Sequence, residues 1–192
     1  MAEIHGPQRL GPLTPFVGHW EGNVGVDLSY HNEDDETGKT SYFEKAWFKP
    51  IPQTKNGKQV LEGLNYGMTA WRHGEEAMDP FHDEVGFLLW DKATGQILRT
   101  VVFGRGIAIQ AGSIAKPRDT VLHFNAKPGD PCLGILQNPY LKERAELMDF
   151  KSSFTFNKDG TLSYDSTLVL RLVADGNKEM KHTDTNTLHK VG

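Results

Sequence analysis

The sequence predicts an all-β fold: a closed ten-stranded antiparallel up-and-down β-barrel with one or two short helical turns. No long segment has a helical hydrophobic period, and 20 glycines and 10 prolines are spread along the 192 residues, which interrupts helices and marks turns. Short runs rich in β-branched and aromatic residues fill the intervals. Near the C-terminus apolar and polar residues alternate, which is typical of a sheet with one buried face.

Ten strands follow from these runs. They are Trp20–Tyr30, Thr40–Lys49, Val60–Arg72, Glu84–Asp91, Ile97–Phe103, Ile107–Ala115, Thr120–Ala126, Ala145–Asn157, Thr161–Val173 and Glu179–Lys190. Between several runs Gly stands beside Asp or Asn, as in Asp91–Gly95, Asn157–Gly160 and Ala174–Asn177. These residues tolerate the positive φ that tight hairpins need, so we expect an antiparallel meander.

The alternation of apolar and polar residues indicates that this meander closes. One parity is shared by Leu162, Tyr164, Leu168, Leu170 and Leu172, and one by Met148, Phe150, Phe154 and Phe156. A meander with one buried face and no long covering helices must fold over or close, and closure removes the exposed edges. Ten strands enclose more space than eight, so we expect an internal cavity for a small ligand.

Three segments do not have a strand pattern. We expect Leu10–His19 to form a short helical turn or a strap across one barrel end, and Gly134–Arg144 to contain a turn of helix after Asn138-Pro139. His31–Gly38 is predicted to be a polar surface loop. Since no linker or repeat is visible, residues 1–192 are interpreted as one domain.

Composition excludes several functions. The net charge is −4, so the basic excess that attracts nucleic acid is absent. A single cysteine, Cys132, forms neither an internal disulfide nor a cysteine zinc site and favours a reducing compartment. Because no signal peptide or membrane span is visible, we expect a cytoplasmic protein with no membrane partner. The sequence leaves open whether the chain is a monomer or a homodimer.

The common enzyme signatures are absent, so attention falls on polar residues near the predicted interior. His82 lies in Phe81–Gly86 (FHDEVG). One interpretation is a cavity histidine held in one tautomer by a nearby acceptor. The other is a histidine at the start of a strand that caps backbone groups at the barrel rim.

The run Lys181–His189 is too polar for a strand that only covers a core. Either the even-numbered residues, which include His182 and Asp184, or the odd-numbered threonines point inward. Buried polar groups must be hydrogen-bonded or bind a ligand. His182 is therefore a candidate ligand of a metal or a cofactor iron, with Asp184 and Asn186 shaping its surroundings; the alternative is a threonine-rich solvated edge strand.

Arg105 stands between two glycines in Phe103–Gly106. A bend there aims one cation, which suits a carboxylate or propionate of a ligand. The alternative is an ion pair with an acid of the same fold, for which Glu44 and Glu84 are candidates.

Taken in order, the motifs resemble the nitrobindin family, also described as the heme-binding β-barrel domain and as fatty-acid-binding-protein-like, a calycin or lipocalin-like architecture. The matching segments are Leu10–Leu13, Gly18–Gly22, Tyr42-x-Glu44, Phe81–Gly86 and His182–Leu188. The final His-Thr-Asp run resembles a bacterial subgroup. The resemblance extends over most of the chain.

The resemblance implies a barrel that holds heme b, with His182 on or beside the position of the axial iron ligand and His82 in the same cavity. It implies nitric oxide binding and the isomerisation of peroxynitrite to nitrate, a peroxynitrite isomerase activity. Asp184 or a backbone carbonyl would then set the tautomer of His182. Counted back from Val191, Thr183 occupies the family's usual histidine position. A slip of one residue turns a side chain to the other face unless a bulge restores it.

Two other functions remain open. The barrel could carry another small lipophilic ligand without catalysis. It could also be a non-heme enzyme that uses His82, Glu84, His182 and Asp184 in acid–base or metal chemistry, since histidines and carboxylates bind divalent metals.

Overall fold

The structure, a computed structural model, describes residues 7–31, 36–76, 78–173 and 175–191. The strands are β1 (Gly18–His31), β2 (Glu36–Pro50), β3 (Thr54–Asn56), β4 (Gln59–Arg72), β5 (His82–Asp91), β6 (Gln96–Phe103), β7 (Ile107–Ile114), β8 (Val121–Ala126), β9 (Ile135–Gln137), β10 (Ala145–Phe156), β11 (Leu162–Leu172) and β12 (Lys178–Lys190). The helical parts are a 3-10 segment at Pro7–Phe16 and helix α1 at Pro139–Arg144.

Ten of the strands form a closed antiparallel barrel, which confirms the predicted fold class. The strand order runs β2-β1-β12-β11-β10-β8-β7-β6-β5-β4, and β2 pairs with β4 to close the ring. All ten predicted strands are present, although β2 begins at Glu36 rather than Thr40. The short strands β3 and β9 were not predicted. β9 pairs with Ile107–Ile109 of β7, whereas β8 pairs with β7 only at Gly112.

The predicted N-terminal strap is the 3-10 segment, and it packs against one end of the barrel. Its side chains Leu10, Leu13 and Phe16 are buried in the core, and Trp20 Nε1 donates a hydrogen bond to the Phe16 carbonyl at 2.7 Å. Gly11 has a φ of 53°, and a Cβ there would lie 2.4 Å from Cζ3 of Trp90. Only glycine combines this conformation with so close an approach.

Helix α1 begins where the sequence predicts it. The side chain of Asn138 accepts a hydrogen bond from the Leu141 amide at 3.0 Å, and Pro139 occupies the first turn. An Asn cap followed by Pro satisfies a free amide and supplies helical φ at the helix start. Within the described residues, no helix is long and apolar enough to cross a membrane.

The buried face follows the predicted alternation with one exception. Leu162, Leu170 and Leu172 are buried as expected, but Met148 is 39% exposed. A register shift between Leu147 and Asp149 inserts an extra residue into β10, so Leu147 and Phe150 are both buried while Met148 turns outward.

The loop predicted at His31–Gly38 is shorter than expected, because His31 belongs to β1 and Glu36–Gly38 belong to β2. Residues 32–35 lie outside the described residues, as does Ala174 of the predicted hairpin at Ala174–Asn177. In that hairpin Gly176 and Asn177 have the positive φ values of 63° and 66°, as the Gly-Asn pair predicts.

Candidate ligand-binding cavity

The barrel encloses a cavity of about 410 Å³. It opens at the end where β1, β4, β6 and β11 finish, and the 3-10 segment packs at the other end. The walls include all four candidate site residues, namely His82, Arg105, His182 and Asp184. The prediction of an internal cavity lined by these residues therefore agrees with the structure.

The even-numbered face of β12 points into the barrel. His182 and Asp184 line the cavity, and Asn186 and Leu188 are buried below them. The pairing of β12 with β11 contains no register shift. The irregularity lies instead in β1, between Glu21 and Val26, so β12 itself needs no bulge to turn His182 inward. The alternative interpretation of this segment as a solvated edge strand is wrong, because β12 pairs with β1 on one side and with β11 on the other.

His182 is bound to Asp27, a residue that the sequence analysis did not select. His182 Nε2 lies 2.6 Å from Asp27 Oδ1, and Ser29 Oγ donates to the other Asp27 oxygen at 2.5 Å. Burial alone would raise the pKa of Asp27, but the hydrogen bond and charge of His182 outweigh it and lower that pKa. An ionised carboxylate only accepts hydrogen bonds, so Nε2 carries a proton and the lone pair of a neutral ring is on Nδ1.

Asp184 does not contact the imidazole of His182 and instead accepts a hydrogen bond from the Tyr42 hydroxyl. The expectation that Asp184 sets the tautomer of His182 is therefore wrong, because Asp27 of the neighbouring strand makes that contact. Burial raises the pKa of Asp184 to about 6, and the hydrogen bond from Tyr42 opposes that rise.

Tyr42 connects Asp184 to a second buried carboxyl group. The hydroxyls of Tyr42 and Tyr164 are 2.6 Å apart, and the Tyr164 hydroxyl lies 2.9 Å from Glu44 Oε2. Asn186 Nδ2 also donates to Glu44, at 3.1 Å. Burial, followed by the charge of Asp184, raises the pKa of Glu44 well above its ordinary value.

His82 is the first residue of β5 and lies at the cavity mouth. Its ring contacts that of Phe103, with centroids 5.6 Å apart, and its Nε2 is 3.6 Å from Glu84 Oε2. The position satisfies both interpretations of the sequence, since His82 stands at the rim and also lines the cavity.

Glu84 belongs to a buried cluster around Arg99. The guanidinium donates to Glu84 Oε1 at 2.6 Å, to the Tyr66 hydroxyl at 2.8 Å and to Ser152 Oγ at 2.9 Å. Burial would raise the pKa of Glu84, but the charge of Arg99 and the contact with His82 lower it to about 2. Sequence analysis missed Arg99, because an arginine inside an apolar strand gives no local indication of its buried partner.

Arg105 lines the cavity mouth and donates to the Phe81 carbonyl at 3.0 Å. Neither acid proposed for it is its partner: Glu84 pairs with Arg99, and Glu44 is bound by Tyr164 and Asn186. A second arginine at the mouth, Arg72, lies over the Phe81 ring at 5.2 Å.

Comparison with protein families identifies one that spans this barrel. The model of the THAP4-like, heme-binding beta-barrel domain matches residues 9–190. The chain belongs to this family. The match covers every strand of the barrel, and it confirms the resemblance to the heme-binding β-barrel domain that the sequence motifs indicate.

A solved structure shares the fold. The crystal structure of Rv2717c from M. tuberculosis is similar with a TM-score of 0.64 and 22% sequence identity, over 97% of this chain and 99% of that chain. No curated protein matches the chain.

The cavity residues fit the heme that the family description names. His182 presents an imidazole to the cavity, and a carboxylate on one ring nitrogen with the lone pair on the other is typical of metal-binding histidines. Phe81, Phe103 and Leu168 contribute apolar wall, and the two arginines at the mouth suit the carboxylates of a porphyrin.

The side chains of the cavity do not favour a site for a metal ion without heme. Within the residues that the structure describes, no group of three or more histidine, cysteine, aspartate or glutamate side chains is arranged to hold a metal ion. The metal version of the hypothesis that combines His82, Glu84, His182 and Asp184 is therefore not favoured by this geometry.

Proposed function

We propose that the chain binds heme b in the barrel cavity and that His182 would hold its iron. Membership of the heme-binding β-barrel family supports the cofactor. The observation that carries the residue assignment is the inward position of His182 together with its contact to Asp27. His82, at the mouth of the same cavity, is proposed to contact the bound group without ligating it.

The chain's own residues have three tasks in this proposal. Asp27 orients the His182 ring and keeps the proton on Nε2, so that Nδ1 is available to the iron. Arg105 and Arg72 bind the propionates at the mouth, and Asp184 shapes the polar side of the cavity. Phe81, Phe103 and Leu168 would pack against the apolar part of the group. When bound, the cofactor would supply a Lewis-acidic iron.

We further propose that this site handles nitric oxide and peroxynitrite, as an isomerase that converts peroxynitrite to nitrate. The support is the resemblance of the sequence motifs to nitrobindins, above all the ordered set from Gly18–Gly22 to His182–Leu188. The chain's contribution would be a cavity inside the barrel that limits the escape of the reactant.

The cofactor assignment is tested by titrating the purified apoprotein with hemin and recording the visible spectrum. We expect a saturable Soret band that weakens or shifts in His182→Ala. The control is His189→Ala, which removes an exposed histidine from the same strand and should leave the spectrum unchanged. A Soret band identical in wild type and His182→Ala would contradict the ligand assignment.

A second candidate is a carrier of another small lipophilic ligand. It is favoured by the apolar part of the cavity wall, to which Phe81, Phe103 and Leu168 contribute and which suits other lipophilic molecules as well. Native mass spectrometry of the protein as purified distinguishes the two: the mass of heme supports the first proposal, and that of another organic molecule supports the second. The same spectrum shows whether the chain is a monomer or a homodimer.

A cytoplasmic location stays part of the proposal, supported by the single cysteine.

A further inference from the structure

Four oxygen-bearing side chains form an unbroken hydrogen-bonded row across the inside of the barrel. Glu44 contacts Tyr164 at 2.9 Å, Tyr164 contacts Tyr42 at 2.6 Å, and Tyr42 contacts Asp184. Glu44 lies two residues further along β2 from the cavity mouth than Tyr42 does. The row therefore runs from the deeper interior to a carboxylate that faces the cavity.

The number of protons in this row follows from its contacts. Each of the three oxygen–oxygen contacts needs one proton to be a hydrogen bond. The hydroxyls of Tyr42 and Tyr164 supply two, and an ionised carboxylate supplies none. The third proton must belong to one of the two carboxyl groups. If both were ionised, one contact would place two oxygen lone pairs face to face in a buried site.

The surroundings assign this proton to Glu44. Its side chain is 2% exposed, and within the described residues it has no ion-pair partner. The buried cation Arg99 is engaged by Glu84, Tyr66 and Ser152. The titratable and charged groups that face Glu44 are Tyr42 on β2, Glu84 on β5, Tyr164 on β11 and Asp184 on β12. These neighbours are neutral or anionic, so they favour the uncharged acid, in agreement with the raised pKa of Glu44.

We propose that Glu44 is a neutral carboxylic acid that holds a proton for the cavity and is connected to it through Tyr164 and Tyr42. In the transfer, Glu44 gives its proton to the Tyr164 oxygen, Tyr164 gives its own to the Tyr42 oxygen, and Tyr42, which lines the cavity, gives its own to a basic atom of a ligand held there. Three O–H bonds break, two O–H bonds form, and the ligand atom binds the third proton. Glu44 is left as a carboxylate.

Glu44 is hydrogen-bonded after the transfer as well as before it. Asn186 donates to Glu44 Oε2, the oxygen that Tyr164 contacts, so after the transfer the carboxylate accepts hydrogen bonds from both Asn186 and Tyr164, which stabilise its charge. The row is built into the apoprotein. The inference goes beyond the proposed function and holds for any cavity ligand that accepts a proton.

Infrared spectroscopy of the apoprotein tests the protonation of Glu44. At pH 7 we expect the C=O band of a protonated carboxylic acid, which shifts when deuterium replaces the acid proton. Glu44→Gln should abolish the band. The matched control is Glu62→Gln, because Glu62 is a buried glutamate on the adjacent strand that is paired with Arg9 at 3.2 Å. Absence of the band in wild type, or its persistence in Glu44→Gln, would overturn the proposal.

The rate of hydrogen–deuterium exchange at this band tests the connection to the cavity. Tyr42→Phe leaves the Glu44–Tyr164 contact intact but interrupts the row beyond it. Exchange must then wait for local opening of the barrel, so we expect it to slow by about tenfold or more. Tyr140→Phe, which removes an exposed hydroxyl outside the row, should exchange like wild type. A purely structural Tyr42 would leave the rate unchanged in Tyr42→Phe, and that result would refute the relay. Tyr164→Phe provides a second interruption, with the same expected slowing, should Tyr42→Phe not fold.

Discussion

Two buried glutamates in one cavity wall differ in charge because of their neighbours. Glu84 is 4% exposed and Glu44 is 2% exposed, so both lose nearly all contact with solvent. Arg99 lies 2.6 Å from Glu84 and lowers its pKa to about 2. Glu44 faces Asp184 and two tyrosines, and its pKa is raised. The same residue type is thus an anion at one site and a neutral acid at the other.

The difference shows that burial does not determine the charge of a carboxyl group. Burial raises the pKa at both sites, and a neighbouring cation reverses the outcome only where it is within ion-pair distance. The Arg99 cluster therefore behaves as a compensated charge pair. The Glu44 row behaves as a network of hydrogen bonds between groups that are mostly neutral.

The largest expected effect comes from making the same substitution at both sites. Glu84→Gln leaves the Arg99 charge buried without its partner and should lower the free energy of unfolding by about 3–5 kcal/mol. Glu44→Gln replaces a neutral acid by a neutral amide of the same shape and should cost less than about 1 kcal/mol at pH 7. Urea denaturation of the two variants measures both values. Equal losses would remove the distinction between the sites.

A double variant sharpens this result. Glu84→Gln combined with Arg99→Met removes both charges of the pair, so it should be more stable than Glu84→Gln alone. If the double variant loses as much stability as the sum of the single variants, the two charges are not coupled and the compensated pair is refuted.

The pH dependence of stability should follow the same contrast. The pKa of Asp184 is raised from 3.8 to about 6. At a pH between these two values Asp184 is protonated in the folded chain and ionised in the unfolded chain. The free energy of unfolding therefore falls by about 2–3 kcal/mol as the pH rises from 4 to about 6. Glu44 continues the fall at higher pH. Glu84 acts in the opposite sense, because its stabilisation is lost as the pH falls from 4.5 towards 2.

Denaturation midpoints at a series of pH values from 3 to 8 measure this profile. We expect a maximum on the acidic side of neutrality, and Asp184→Asn should flatten the fall between pH 4 and 6. A stability that rises steadily to pH 7 in the wild type would contradict the assignment of a proton to the Glu44 row.

A smaller effect than that of Glu84→Gln is expected from a substitution that moves Tyr42. A Cβ on Gly25 would lie 2.3 Å from Cε2 of the Tyr42 ring, so Gly25→Ala must displace the ring and should cost about 1–2 kcal/mol, as overpacking does. The control is Gly104→Ala, where a Cβ meets no atom within 4 Å. Thermal unfolding measures the difference. Equal melting temperatures would show that Tyr42 is not held in place by this contact.

Much of the fold could be predicted because it depends on local pattern. Each of the ten long strands was predicted, since alternation of side chains and Gly-containing turns are properties of neighbouring residues. The bulge that exposes Met148 and the short strands β3 and β9 were missed. These features depend on which residues of two strands are paired, and the local pattern of one strand does not specify that pairing.

The candidate site was predicted in part. His82, His182, Asp184 and Arg105 were selected, and all four line the cavity. Their partners were not found: Asp27 binds His182 across 155 residues of sequence, and Tyr42 contacts Asp184 across 142. No signal at short range marks such pairs, because strands that are distant in the chain become neighbours only when the barrel closes.

Local chemistry in the chain is sufficient to specify strands, turns, a buried face and a set of inward polar residues. The protonation states of Glu44 and Glu84 and the tautomer of His182 are instead decided by the tertiary structure. A charge responds to whatever lies within a few ångströms of it, and closure of the ring between β2 and β4 brings those groups within reach.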